Sequence, residues 1–134
     1  MKLVSNKVLL DYSSVLIRPK NTRLSSRSQV NLVRTITKFP NAKDATWSGV
    51  PVMVANMDTT GTMEVHDEIH KHSMLTMLHK YYSETDIIEC FSGYKSPEYL
   101  NTMGISTGIA DRDIEKLVSI HKVGIKPIFI NIDV

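Results

Sequence analysis

The stretch Val50-Pro51-Val52-Met53-Val54-Ala55, followed by Asn56-Met57-Asp58-Thr59, decides the fold. An apolar, largely β-branched run that stops abruptly on polar groups reads as a buried parallel strand. Open α/β sheets and (β/α) barrels place ligands at the carboxyl ends of their strands, so residues 56–59 mark a site as well as a fold. Thr59-Thr60-Gly61-Thr62 then turns the chain into a helix.

Downstream, further strand candidates lie at 74–78, 103–107 and 126–132, with 103–107 the weakest. Helix candidates fall between them at 61–72, at about 84–100 with a break near Ser96-Pro97, and at 111–122. Asp111 is a candidate N-cap for the last helix, Ile114, Leu117, Val118 and His121 share one face, and Gly124 is a stop signal. Such alternation predicts parallel strands joined by right-handed crossovers. A closed barrel takes eight β/α units in roughly 250 residues, and this sequence supplies about four. The expected fold is therefore α/β, the amino-terminal half of a TIM (β/α)8 barrel over residues 49–134. Upstream, residues 1–48 are rich in Ser, Arg, Lys and Asn, with a turn at Arg18-Pro19-Lys20-Asn21. They read as an irregular arm packed on a scaffold, not a domain of their own.

The totals exclude several classes. The chain has 134 residues, a formal net charge of +2 and one cysteine. No basic stripe favours nucleic acid. No run of about 18 apolar residues spans a membrane, and residues 1–7 lack the apolar segment of a signal peptide. One cysteine allows no internal disulfide, and a reducing, cytoplasmic setting is expected.

Several stretches carry a family resemblance. They are Leu10-Asp11-Tyr12-Ser13-Ser14-Val15-Leu16-Ile17-Arg18-Pro19-Lys20, Ser25-Ser26-Arg27-Ser28, Gly49-Val50-Pro51 through Ala55-Asn56-Met57-Asp58-Thr59, and Gly61-Thr62. His72-Ser73-Met74, Leu78-His79-Lys80-Tyr81-Tyr82-Ser83 and Asn131-Ile132-Asp133-Val134 continue the match. In this order they resemble the amino-terminal half of the IMP dehydrogenase/GMP reductase family, in its GMP reductase branch. The short connection between Lys80 and the strand at 103 leaves no room for the regulatory domain usual in IMP dehydrogenases. The resemblance implies NADPH-dependent reductive deamination of GMP to IMP and ammonia, a reaction of purine salvage, in a homotetramer of (β/α) barrels.

Carried over by the same resemblance, Lys80 stands beside the cofactor at the end of the second barrel strand, where a compact cation suits an amide or phosphate oxygen. Without the matching flanks it would read as a solvated loop lysine. Ser26 and Arg27 match arm residues that reach a neighbouring subunit's cofactor, Arg being suited to phosphate or to stacking on adenine; an exposed basic arm is the plainer alternative. Asp133 and Val134 match the start of the loop on the cofactor side. Met57 matches a position near the purine, with core filling as its alternative role. Asn56 and Asp58 either touch a ligand or orient the loop.

Two features read as decoys. His66 and His70 have the i, i+4 spacing of a metal pair, but Asp67 stands where the zinc-protease signature needs Glu and no third ligand is evident; a solvated helix face is expected, and no metal. Cys90 lies in an apparent helix and reads as structural. The family's nucleophilic cysteine sits in a Gly- and Ser-rich loop after the sixth strand, and this sequence contains neither that loop nor its partner threonine, the late glutamate or the potassium-binding turn. The resemblance implies a cysteine adduct at the purine C2, loss of ammonia and hydride transfer. No catalytic residue is therefore assigned, and the chain alone is expected to be inactive. Four parallel strands would leave two open edges and an uncovered apolar face, calling for a second copy or a complementary half-barrel. The alternatives are a non-catalytic half-barrel interaction module or decayed product and, more weakly, an IMP dehydrogenase fragment.

Overall fold

The computed structural model describes residues 10–37, 46–93 and 96–134. They divide into two compact units, residues 1–31 and 32–134.

In the first unit, 3₁₀ turns span Tyr12–Ser14 and Arg27–Gln29. Asp11 accepts from the Tyr12 amide at 2.6 Å and so caps the first. The turn expected at residues 18–21 is not formed, and that stretch is irregular. No described residue of this unit is buried; Leu16 and Ile17 are 98% and 97% exposed.

The second unit opens with an antiparallel pair, β1 (Arg34–Thr37) and β2 (Thr46–Gly49). This corrects the expectation that residues 1–48 are irregular. The pair is anchored by Trp47, which is buried, donates its ring N–H to the Asn101 carbonyl at 3.0 Å and meets Phe129 edge-on.

The parallel sheet follows in chain order: β3 (Met53–Val54), α1 (Met63–Ile69), β4 (Leu75–Leu78), α2 (Glu84–Ser92), α3 (Pro97–Leu100), β5 (Met103–Thr107), α4 (Asp111–Lys122) and β6 (Phe129–Ile132). The strand order is β3-β4-β5-β6, all parallel. β3 is shorter than the apolar run that announces it. Pro51 has no N–H for the ladder, and pairing is confined to one side of an edge strand. β5, the weakest expectation, is instead fully buried and paired on both sides. Its small residues are required there: a Cβ at Gly104 would run into the Met77 sulfur.

Helix starts follow their caps. Thr62 caps α1 through Val65 N–H at 3.2 Å, and Ser96 caps α3 with Pro97 in its first turn. Ser83 and Asp86 form a reciprocal capping box on α2. The N-cap of α4 is Ala110, not Asp111; the Asp113 carboxylate reaches back to the Ala110 amide at 3.2 Å. Gly124 ends that helix with φ +89°, a left-handed conformation that glycine adopts without strain. Leu78, Met103 and Ile105 face the helices and pack with Ile87, Tyr99 and Ile120 as the core.

That core does not close on the β6 side. Ile130 and Ile132 are 53% and 66% exposed, and Ile114 and Val118 of α4 are nearly half exposed. Ile114, Val118 and Ile130, together with Leu117 and Ile125, bound a groove of about 560 Å³ on the outer flank. Among the described residues no helix is long and apolar enough to cross a membrane.

Candidate functional site

The carboxyl ends of the four parallel strands all emerge on one side. The loop from β3 to α1 is pinned there by its own backbone. Thr60 and Gly61 donate to the Met57 carbonyl at 3.0 and 2.7 Å, and the Thr60 hydroxyl donates to Ala55 at 3.2 Å. The Gly61 carbonyl accepts from His79 N–H at 2.9 Å, tying this loop to the end of β4. A side chain at Gly61 would strike the carbonyls of Met77 and Ala55, so glycine is needed for this close approach.

The loop forms one wall of a recess of about 320 Å³, lined by Asn56, Met57, Asp58, Thr59, Tyr81 and Asp133. Asp133 is held at the end of β6 by donation of its amide to Thr107 at 2.8 Å. Lys80 lies against Asp133: its ammonium is 3.2 Å from the carboxylate and donates to the Asp133 backbone carbonyl at 3.4 Å. The same ammonium stands 5.9 Å from the centre of the Tyr81 ring. The structure thus brings Met57, Lys80 and Asp133 to one place. Val134 is 91% exposed. Tyr81 also lines the recess, although the sequence singles it out only as part of the stretch around Lys80.

Ser26 and Arg27 belong to the first unit. The Ser26 hydroxyl accepts from Ser28 N–H at 3.2 Å and caps the turn that Arg27 opens. Both line a shallow cleft with Thr22, Leu24, Ser25 and Val30.

The electrostatics are those of a neutralised pair. With Lys80 shared with Asp133, and Asp58 nearby in the lining, the recess carries a slight net negative charge. Such a site suits an uncharged ring or carboxamide that offers both donors and acceptors better than it suits a phosphate.

The histidine pair is not on a solvated face, which corrects that expectation. His66 is fully buried, its Nε2 lies 3.0 Å from the Tyr99 carbonyl, and its ring meets the Tyr99 ring edge-on. His70 also meets the Tyr99 ring, at 4.8 Å between ring centres, and lies 5.7 Å from the His66 ring. Burial, and then the hydrogen bond to Asp67 at 2.8 Å, push the Tyr99 phenol far above its ordinary pKa. Among the described residues no group of three or more His, Cys, Asp or Glu could hold a metal ion. Cys90 sits in α2, half-buried against the core and outside the recess.

No protein-family profile matches the chain. Individual proteins do. The chain is 41% identical to human GMP reductase 1 over 134 residues, all of this chain and 38% of that protein. It is 43% identical over 122 residues to a GMP reductase of Phytophthora infestans, covering 91% of this chain and 33% of that one. A GMP reductase of Vibrio vulnificus is 37% identical over 131 residues, 98% of this chain and 37% of the relative. The chain thus spans little more than a third of the length of the curated relatives it matches. Among solved structures, inosine 5′-monophosphate dehydrogenase from Legionella pneumophila superimposes with a TM-score of 0.62 at 22% identity, over 91% of this chain and 34% of that one. That likeness concerns the fold, which is the first part of a (β/α) barrel.

Proposed function

We propose that this chain, which resembles the amino-terminal half of GMP reductase, forms the cofactor side of an NADPH-dependent enzyme that converts GMP to IMP and ammonia. The observation that carries the reading is the recess at the strand ends, where the β3–α1 loop, Lys80 and Asp133 converge. The donors and acceptors there fit the carboxamide and ring of a nicotinamide. NADPH, when bound, supplies the hydride. Lys80 and Asp133 orient the nicotinamide end, Met57 lies toward the purine, and Val134 stands next to Asp133 on the cofactor side. Ser26 and Arg27 serve the adenosine end of a cofactor held by a neighbouring subunit, in a homo-oligomer. On this reading residues 1–48 are the arm and residues 49–134 the barrel portion, the setting is the cytoplasm, and the pathway is purine salvage.

Cys90, the single cysteine, is outside the recess, so no cysteine nucleophile stands at the site. Purified chain with GMP and NADPH should release no ammonia and leave the absorbance of NADPH unchanged, while ligand-observed NMR detects NADPH binding. Sustained turnover, or no binding at millimolar NADPH, would overturn the proposal.

The apolar groove between α4 and β6 supports a second reading, a half-barrel that docks on a complementary half without chemistry of its own. The two readings part on NADPH binding.

A further inference from the structure

Helix α4 packs on the flank of the sheet, yet one of its side chains reaches the site. The Lys116 ammonium donates to the Lys80 carbonyl at 2.9 Å and to the Tyr82 carbonyl at 3.0 Å. Those two carbonyls bracket Tyr81, which lines the recess. An ammonium has three donors, and two of them are committed to one three-residue stretch. Lys80 is therefore held at both ends: its carbonyl on α4, and its ammonium on the residue that follows β6. Partial burial lowers the pKa of Lys116, with the Asp113 carboxylate acting against that shift, as suits a cation partly withdrawn from water onto carbonyl dipoles.

We infer that Lys116 is a positioning residue of the recess, fixing the backbone of residues 80–82 and so setting where Lys80 and Tyr81 meet the dinucleotide. The inference rests on the reading of the recess as a cofactor site. A carbonyl pair drawn to one cation has a single arrangement, whereas the same loop with two unsatisfied carbonyls turns them toward water and carries Lys80 with them.

The test uses the 134-residue chain, with Lys116→Met, Lys116→Arg and, as a control at the far end of the helix, Lys122→Met. Two readouts are taken: amide hydrogen exchange at residues 79–83 and NADPH affinity. Lys116→Met should raise exchange in that stretch at least tenfold and weaken NADPH binding by a similar factor. Lys116→Arg, which keeps charge and donors, should recover most of both, and Lys122→Met should change neither. If Lys116→Met does not fold, Lys116→Gln carries the same comparison. Unchanged exchange overturns the clamp. Faster exchange with unaltered NADPH affinity overturns the positioning role alone. Faster exchange in a chain whose parent binds no NADPH overturns the reading of the site, and the positioning role with it.

Discussion

The Lys80 ammonium and the Asp133 carboxylate stand 3.2 Å apart, across the ends of β4 and β6 with β5 between them. Their side chains remain 31% and 35% exposed, so the pair adds at most about 1 kcal/mol to stability. Its value is geometric. Lys80→Ala should shift the urea midpoint little and weaken NADPH binding about tenfold, with Asp133→Asn between it and the parent chain. Equal NADPH affinity in all three proteins would remove the pair from the site.

Gly104 tests the centre of the sheet. Because a Cβ there collides with the Met77 side chain, Gly104→Ala should cost roughly 1–3 kcal/mol. Shortening Met77 to Ala in the same molecule should return part of that loss, since the two sites share one volume. Additive losses in chemical denaturation would refute the collision.

Trp47 tests the hairpin. Trp47→Ala should cost about 3–5 kcal/mol through lost packing and an orphaned Asn101 carbonyl. Trp47→Phe keeps most of the packing and should cost less. Comparable destabilisation of both variants in thermal melts would mean that the hydrogen bond, not the ring, holds the hairpin.

The capping box of α2 sets an acid limit. Hydrogen bonds from the Ser83 hydroxyl and amide hold the Asp86 carboxyl below its ordinary value of 3.8. A group with a depressed native pKa gives its full contribution above the unfolded value and loses it as the pH falls through the lower native value. Helix content should therefore drop in that window, and Asp86→Asn should flatten the drop. A circular dichroism titration identical for parent and variant would show the box to be idle.

The outer groove predicts self-association. Val118 and Ile130 lie half exposed on its two sides. Sedimentation of the parent chain should show concentration-dependent assembly that Val118→Glu suppresses without loss of helix. A parent chain that stays monomeric at high concentration would speak against a sticky flank.

The barrel strands and helices are legible because each is local, an apolar run or a glycine stop, although the cap of α4 lies one residue before the Asp111 that the sequence suggests. The β1–β2 pair is not, because Arg34-Thr35-Ile36-Thr37 reads as polar until Trp47 is seen docked on Asn101, far along the chain. The burial of His66 is hidden for a similar reason, its cover being Tyr99 on another helix. At the site, Lys80, Asp133 and Met57 were each visible through the family resemblance, yet the Lys80–Asp133 contact was not. Lys116 left no trace in the sequence, since its partners are backbone carbonyls, and any residue at positions 80 and 82 would offer them.

The recess hangs from the two outermost strands. Its near wall follows β3 and its far wall follows β6, so the distance between Met57 and Asp133 is the span of an arch whose ribs are β4 and β5. The opening is thus gauged by the curl of the sheet as well as by the residues that line it. Gly104 and Met77 lie on those ribs and line no part of the recess, so a substitution there is expected to reach the opening only through the spacing of the strands.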